Sequence, residues 1–448
     1  MADRGFDLEE QLTFQADADR RCSLAPADRI DSRGYVSEPP RGGLPVLEAD
    51  ELLVFGSNNY LGLTANQRVQ NAARQAAATV GTGSGGSRLT TGDTMVHHDL
   101  ERLLAETFET DRALAFSSGY AANVGTITAL EPDVVFVDEY THVSAFDGCR
   151  LAGTEVVPYG HCDPDALREA VDDALERRAI AEARSNTDAN ADVDVDTNAG
   201  DDTDADADTK ANANADADTG DESWLVVTDS VFSQDGWVAP LEELCDVADS
   251  VGAWIMVDES HATGLYVRGG GIVQAEGLAD RVDIQMGALS TALASQGGYV
   301  AGDDALIEWL AARAPPFVES TGLTPMAAAA ASEALHLSKH GDHRESLWEN
   351  VTRLRDGLLT MGYEVDGDSQ ILPVYVETRD VARALANDLR DRGVIVSAPV
   401  RTRSGGHASR NEVREGYVYA LPTAAHTRDD LVACLEAFQD AGEALDLL

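Results

Sequence analysis

Short apolar runs alternate with amphipathic stretches along most of the chain, and this alternation limits the possible folds more than any other feature. Amphipathic stretches such as His97–Phe108 and Leu241–Val251 have the periodicity of helices. Buried strands that alternate with helices are typical of a parallel sheet covered on both faces. The sequence therefore predicts an α/β fold with a mostly parallel sheet. The runs that we interpret as strands are Ala113–Phe116, Val134–Val137, Leu225–Val227 and Trp254–Val257.

The pattern changes after about residue 322. A long alanine-rich helix is followed by a strand at Ile371–Val376, a helix at Arg379–Arg392 and further strands. This order predicts a second, smaller α+β domain. We therefore divide the chain into an N-terminal segment (1–45), a large domain (46–320) and a small C-terminal domain (321–448).

The segment from Asn186 to Glu222 consists mainly of Asp, Ala, Asn and Thr. It has almost nothing to bury, so ordering it would cost more conformational entropy than its contacts could return. We predict a disordered surface insertion at 186–222. A helix that is capped by Asp163, begins at Pro164 and runs to about Arg184 should precede it.

The charge balance excludes several classes of partner. The formal net charge is −46, and the chain contains two lysines, Lys210 and Lys339. Such a surface repels nucleic acid and anionic lipid, and it is typical of a protein adapted to high salt. No apolar run is long enough to span a membrane and the N-terminus is charged, so we expect a soluble cytoplasmic protein without a membrane partner. The five scattered cysteines suggest neither a disulfide framework nor a metal site.

The segment Ala113–Asn123 reads as a strand that passes through Ser-Ser-Gly into a helix. Such a junction directs free backbone amides and the positive end of the helix toward an anion, so it is a candidate phosphate site. Junctions of this kind are also common without any ligand.

A second candidate is Asp258, which ends the apolar run Trp254–Val257, with His261 three residues later. Open α/β sheets place ligands at this end of their strands. A carboxylate there suits a protonated pyridine ring. The alternative is an aspartate that caps the next helix.

Six blocks occur in the order found in the α-oxoamine synthases, and the chain resembles that family on their account. The first five span residues 57–302 and the sixth extends the match to Pro325. They are SNNYLGL (Ser57–Leu63), GTGSGGSRLTTGDTMVHHDLE (Gly81–Glu101), SSGYAAN, DESHATG, GALSTALASQGGYVAG (Gly287–Gly302) and VESTGLTP (Val318–Pro325).

The resemblance implies the fold of type I pyridoxal 5'-phosphate (PLP) enzymes, similar to aspartate aminotransferase, and a homodimer with active sites at the subunit interface. It implies that Gly119 and Tyr120 bind the cofactor phosphate through their backbone and that Asp258 pairs with the pyridine nitrogen. His142 would stack on the ring. The other positions implied by the resemblance are His261 and Ser233 near the ring hydroxyl, Ser320 and Thr321 at a phosphate across the interface, and Asn59 together with Gly85 and Gly86 of the Gly81–Gly86 loop near the substrates.

The chain departs from the family at the lysine that holds the cofactor as a Schiff base. The family reads Gly-Thr-Leu-Ser-Lys-Ala, whereas this chain reads GALSTA, with Thr291 at the lysine position and Ala288 in place of a hydroxyl residue. A threonine hydroxyl cannot form an imine and is a poor base. Lys210 lies in the predicted insertion and Lys339 in a predicted surface helix, so neither is expected to substitute.

The C-terminal region departs as well. The family arginine that pairs with the substrate carboxylate has no counterpart by position in Val396–Thr427, where Arg401 or Arg403 could serve. A bidentate arginine is the usual partner of a carboxylate, so the identity of the amino acid substrate stays open here.

The resemblance implies three functions. The first is the type of 8-amino-7-oxononanoate synthase, which condenses alanine with a pimeloyl thioester in biotin biosynthesis. The second is a non-catalytic subunit, a pseudoenzyme that forms a heterodimer with a lysine-bearing paralogue. The third is the type of 2-amino-3-ketobutyrate ligase, which uses glycine and acetyl-CoA. A decayed copy or a sequence error is a further interpretation, because Lys to Thr needs one base change. Because Thr291 replaces the lysine, we expect weak, non-covalent PLP binding.

Overall fold

The computed structural model describes most of the chain, and the following account concerns those residues. They are residues 6, 8–17, 25–37, 47, 50–189, 222–398 and 416–448. The predicted insertion therefore lies largely outside the described residues, as do Cys22, Lys210, Arg401 and Arg403.

Thirteen strands and fourteen α-helices occur among the described residues. The strands are β1 (Arg33–Gly34), β2 (Leu52–Val54), β3 (Arg112–Phe116), β4 (Val134–Asp138), β5 (Glu155–Tyr159), β6 (Trp224–Asp229), β7 (Trp254–Asp258), β8 (Ile284–Ala288), β9 (Gly298–Gly302), β10 (Glu364–Val365), β11 (Leu372–Val376), β12 (Val394–Ile395) and β13 (Gly416–Ala420). The helices are α1 (Leu8–Asp17), α2 (Gln67–Thr79), α3 (Met95–Phe108), α4 (Gly119–Leu130), α5 (Val143–Ala152), α6 (Pro164–Ala189), α7 (Leu241–Val251), α8 (Ile272–Glu276), α9 (Asp304–Arg313), α10 (Pro315–Val318), α11 (Pro325–His340), α12 (His343–Met361), α13 (Arg379–Asp391) and α14 (Arg428–Ala444).

A seven-stranded sheet organises the large domain. Its strand order is β3-β9-β8-β7-β6-β4-β5, and β9 alone runs antiparallel to its neighbours. Both faces of this sheet are buried. Successive residues of a strand point to opposite sides, so each strand supplies side chains to both apolar cores. In β4, Val134 and Phe136 enter one apolar core while Val135 and Val137 enter the other. The predicted α/β fold with a mostly parallel sheet is confirmed.

The helices begin and end where their sequences favour it. In α7, two glutamates occupy the first turn and Gly252 ends the helix in the left-handed conformation with φ of 71°. Its buried face is apolar and includes Leu244 and Cys245. In α6, Asp163 Oδ1 accepts hydrogen bonds from the first-turn amides, as predicted. That helix runs to Ala189, four residues into the predicted insertion.

The smaller C-terminal part contains the antiparallel sheet β10-β11-β13 with α12, α13 and α14. A third sheet pairs β2 with β1 and with β12, so residues near 50 share a sheet with residues near 395. The description of α11 as a surface helix is wrong. This helix packs on α2 and α3, and Ala328, Ala331 and Leu335 are fully buried.

Candidate active site

The predicted site residues collect at the carboxyl ends of the parallel strands. Strands β4, β6 and β7 each end in an aspartate, Asp138, Asp229 and Asp258, and the last two are register partners. The first turns of α4 and α5 face the same edge. Strands of a parallel sheet end together, so residues that are far apart in the sequence become neighbours here.

The start of α4 is a candidate anion-binding end. Ser118 caps the helix by accepting a hydrogen bond from the Ala121 amide over 3.0 Å. The amides of Gly119 and Tyr120 precede the first intrahelical hydrogen bond, so they are available to an anion. Tyr120 is half exposed, and its hydroxyl donates to Asp147 over 2.7 Å.

Close backbone approach holds this helix end against the sheet. A Cβ atom on Gly298 would lie 2.6 Å from the backbone nitrogen of Gly119. The side chain of Ala288, the last residue of β8, also lies beside Gly119. The glycine in β9 is therefore required for the helix end to sit directly over the strand ends.

Asp258 is held by two donors. Its Oδ2 accepts from Asn123 Nδ2 and its Oδ1 from the backbone amide of Ser260, each over 2.8 Å. The residue is 5% exposed. A tight turn follows it rather than a helix, so the helix-capping alternative is wrong.

The neighbouring carboxylate, that of Glu259, has a structural role. Glu259 is fully buried and accepts hydrogen bonds from Ser230 Oγ and from the amides of Ile272 and Val273 at the start of α8. Burial raises the pKa of Glu259. It holds a structural helix end, so Asp258 rather than Glu259 stays the candidate carboxylate of the DESHATG block.

His142 lies at the start of α5 and its ring is exposed. Its Nδ1 lies 2.7 Å from the hydroxyl of the fully buried Ser144. The backbone amide of His142 donates to Asp229 over 3.3 Å. One edge of the ring is therefore fixed while the rest stays accessible, as a ring that stacks on a ligand requires.

His261 meets a residue that the sequence interpretation missed. Its Nδ1 lies 2.8 Å from the hydroxyl of the fully buried Tyr60, and its backbone carbonyl accepts from Gln370 over 2.7 Å. The pKa of His261 is lowered to about 4, mainly because the ring is buried; the Asp258 carboxylate opposes this shift and the nearby His142 adds to it. His261 is therefore a neutral imidazole at physiological pH.

The hydroxyl of Thr291 is committed within the protein. It donates to the carbonyl of Ser260 over 2.7 Å, and the residue is 6% exposed. Of the two lysines, Lys339 lies half buried in the last turn of α11, beside Gly269. Among the described residues, no lysine contacts this site.

The Gly81–Gly86 loop is tied to the segment that contains Ser320 and Thr321. Ser84 Oγ is within hydrogen-bond distance of the carbonyl oxygens of Gly322 and Leu323. Gly85 has φ of 71° and open space at its Cβ position, which permits close approach of a ligand.

Nearby, the buried Arg88 binds Glu101 through both oxygens and Asp93 through Nε. This guanidinium is therefore structural, and it fixes the loop to α3.

A second group of titratable residues borders the site. His161 Nδ1 lies 3.1 Å from Asp138 and its Nε2 lies 2.8 Å from Asp235, while its ring stacks on Tyr140. Burial by itself would lower the pKa of His161, but the two carboxylates raise it to about 12. Asp138, His161 and Cys162 have a metal-like spacing. Since both ring nitrogens already contact carboxylates, we interpret the group as a buried ion triad.

Comparison with known proteins identifies the family. A family model described as aminotransferase class I and II matches residues 50–410. The chain belongs to this family.

Its relatives within the aminotransferase class I and II family are α-oxoamine synthases. The 8-amino-7-oxononanoate synthase of Thermoanaerobacter pseudethanolicus is 32% identical over 418 residues, covering 92% of this chain and 93% of the relative. That of Anaeromyxobacter dehalogenans is 39% identical over 384 residues, covering 84% and 85%.

Solved structures agree on the fold. The serine palmitoyltransferase of Sphingomonas wittichii has a TM-score of 0.77 at 25% identity and covers 98% of this chain and 97% of its own. The 8-amino-7-oxononanoate synthase of Francisella tularensis has a TM-score of 0.64 at 21% identity, covering 88% and 98%. The predicted type I PLP fold and the resemblance to α-oxoamine synthases are both confirmed.

PLP is the cofactor of this family, and the residues present fit its binding but not its covalent attachment. The amides of Gly119 and Tyr120 at the start of α4 suit a phosphate, and the donor set around Asp258 keeps a carboxylate in place for a ring nitrogen. Thr291 offers no amine. The site is therefore suited to hold the cofactor without a covalent bond.

The remaining predicted site residues differ in where they lie and what they contact. The Asn59 amide bonds within its own turn, to Leu63 and Thr64, so Tyr60 is the residue of this block that contacts the site. Ser233 lies in the turn after β6. Arg401 lies outside the described residues, and the substrate role proposed for it stays a prediction.

Sequence interpretation also missed Asn123 and Ser144. An isolated amide in the otherwise mainly apolar helix α4 is the signal that could have found Asn123, because buried amides are kept for their hydrogen bonds.

Among the described residues, none of the helices combines the length and the apolar character that a membrane span requires.

Proposed function

We propose that this α-oxoamine synthase is of the 8-amino-7-oxononanoate synthase type and takes part in the decarboxylative condensation of alanine with a pimeloyl thioester in biotin biosynthesis. The observation that carries the proposal is the buried Asp258 carboxylate, held by Asn123 beside the start of α4. Relatives at 32–39% identity that carry this enzyme's name support the choice of substrates.

Different residues would bind different parts of the cofactor. The amides of Gly119 and Tyr120 would bind a phosphate, and the Asp258 carboxylate would keep a pyridine nitrogen protonated. The exposed ring of His142 would pack against the pyridine face. When bound, PLP supplies an electron sink for the α-carbon of an amino acid.

Thr291 limits what the chain can do alone. The lysine expected there would move the α-proton, whereas a threonine hydroxyl that donates to Ser260 has neither the basicity nor the reach. We expect negligible condensation activity from the isolated chain.

A second candidate function follows from the same observation. The hydroxyl of Thr291, at the predicted lysine position, is hydrogen-bonded within the chain. The Gly81–Gly86 loop is also joined to the segment that follows Ser320 and Thr321, through the hydroxyl of Ser84. This combination favours a subunit that completes the interface of a lysine-bearing paralogue. Glycine with acetyl-CoA is the alternative substrate pair.

One set of assays tests these proposals. The purified chain in high salt is supplied with PLP and either alanine with pimeloyl-CoA or glycine with acetyl-CoA, and thiol release is recorded for the wild type and for Thr291→Lys. Thiol release by the wild type with the first pair would show that the lone chain is an enzyme. Thiol release by Thr291→Lys but not by the wild type, again with the first pair, supports a site of the 8-amino-7-oxononanoate synthase type. It also supports the proposal that the wild-type chain is a non-catalytic subunit. A chain that binds no PLP contradicts the proposal.

A further inference from the structure

Three elements of the site meet at one side chain. Asn123 lies in the second turn of α4 and is 1% exposed. Its Nδ2 lies 2.8 Å from Asp258 Oδ2 at the end of β7 and 2.9 Å from Ser144 Oγ in the first turn of α5. A single amide group therefore joins the anion-binding helix to the strand and the helix on either side.

The neighbours of Asn123 determine how its amide is oriented. An ionised carboxylate only accepts hydrogen bonds, so the nitrogen of Asn123, rather than its oxygen, must face Asp258. The Oδ1 of Asn123 then points away, and it receives no hydrogen bond from any described residue. An unsatisfied buried acceptor is costly, which indicates that the residue is retained for the two bonds it donates.

The donated bond to Ser144 has a consequence for His142. Because Asn123 uses its proton on Ser144 Oγ, the serine hydroxyl proton is free to point at His142 Nδ1, 2.7 Å away. The Ser144 backbone amide is directed at the same nitrogen over 3.4 Å. His142 Nδ1 is thus an acceptor, which places a ring proton on Nε2.

We propose that Asn123 is the positioning residue for the pyridine ring of the cofactor. It fixes the Asp258 carboxylate directly and, through Ser144, the tautomer and orientation of the His142 ring. The phosphate would be bound by backbone amides at the start of α4, which the Asn123 side chain does not contact. The inference rests on the proposed function in that PLP must bind the chain.

The first test separates ring binding from phosphate binding. For Asn123→Ala we expect the Kd for PLP, measured by tryptophan fluorescence, to rise by about tenfold or more because two donated bonds are lost. The inhibition constant of inorganic phosphate, measured by competition with PLP, should change by less than about twofold because the backbone donors remain. Equal weakening of both ligands, or of neither, would overturn the proposal.

Asn350 provides a matched control. It is also a buried helical asparagine, and its Nδ2 donates to the carbonyl oxygens of Thr423 and His426, each over 2.9 Å, in the C-terminal part of the chain. Asn350→Ala should lower the unfolding midpoint and leave both ligand constants at their wild-type values. If it weakens PLP as much as Asn123→Ala does, the effect is a general loss of stability and the proposal fails.

The hydrogen bonds that lead from Asn123 through Ser144 to His142, called the relay below, have their own test. It also covers the case in which Asn123→Ala does not fold. Ser144→Ala keeps the bond from Asn123 to Asp258 and removes only the relay. In ¹⁵N-histidine spectra, the wild-type His142 ring should show the Nε2–H tautomer, and the variant should show a mixture. An unchanged tautomer would overturn the relay. A wild type that binds no PLP would instead refute the proposed function and leave the tautomer result standing.

Discussion

The hydroxyl of Thr291 and the carbonyl of Ser260 form a hydrogen bond over 2.7 Å. It fastens the segment after β8 to the turn that carries Asp258 and His261. Thr291, which the sequence predicts to stand at the lysine position of the family, is therefore a short side chain whose polar group is already satisfied. The predicted binding residues Asp258 and His261 lie on the turn to which it is fastened.

Thr291→Lys should give the chain a covalent cofactor. We expect PLP to become attached in a form that borohydride reduces, because the variant supplies the missing amine, while the wild type forms no such adduct. Intact-mass spectrometry after reduction measures this. Condensation activity should return only in part, because Ala288 and the region of Arg401 are unchanged.

Thr291→Met is the control for that change, since it has similar length without an amine and should yield no adduct. An adduct in the wild type would contradict the lysine argument. No PLP binding by Thr291→Lys would mean that the site has lost more than its lysine.

Gly298→Ala should damage the anion-binding end of α4. The new methyl group would lie 2.6 Å from backbone atoms of Gly119, which cannot move without shifting the helix. We expect a loss of about 1–3 kcal/mol in the free energy of unfolding and weaker PLP binding. Denaturant unfolding and PLP titration measure the two effects. Gly83→Ala, where nothing lies within 4 Å of the Cβ position, should change neither.

His161→Gln should destabilise the chain most at low pH. The folded pKa of His161, about 12, is higher than its unfolded value. Its contribution is therefore complete below about pH 6.5 and is lost as the pH rises toward 12. Removing the charge leaves two buried carboxylates, so we expect a loss of about 3 kcal/mol at pH 6.

The difference in unfolding free energy between wild type and His161→Gln should shrink as the pH rises above about 6.5. Denaturant unfolding at a series of pH values from 6 to 9 checks this. His98→Gln is the control, because His98 also contacts an aspartate but is exposed. A difference that does not change with pH would contradict a charged His161.

We predict a dimer in high salt that loses structure as salt is removed. The net charge of −46 is screened only at high ionic strength, so self-repulsion grows on dilution of the salt. Sedimentation and circular dichroism across a salt series test this prediction. A monomer that stays unchanged at every salt concentration would contradict both the dimer and the adaptation to high salt.

Deletion of residues 188–220 should leave folding intact, because Val193 and Val195 are the only large apolar residues of that segment. Arg178 of α6 contacts Glu222, and the helix then runs on for about 14 Å to residue 187. We therefore expect the last turns of α6 to unwind in the shortened chain so that its two ends can join, while the rest of the fold is unchanged. A large fall in the unfolding midpoint at matched salt would show that the segment is structural.

The strands and most helices could be predicted because their signals are local. The helix at Leu241–Val251 was predicted with its observed bounds, and the four apolar runs lie within the strands β3, β4, β6 and β7. Continuous apolar runs mark strands buried on both faces, and few other structures produce them. The burial of α11 was missed because its alanines carry little hydrophobic signal in sequence, yet they allow close packing on α2 and α3.

The sequence by itself determined the α/β class and the order of the family blocks, and it predicts Thr291 at the position of the expected lysine, since each depends on residues read in a row. Only the tertiary structure decided which polar groups serve the site. Asp258 and Glu259 are adjacent, yet one is held by Asn123, 135 residues earlier, and the other holds the start of α8. Chain direction at a strand end sends neighbouring side chains to different surroundings, and their partners come from distant segments that the sheet brings together.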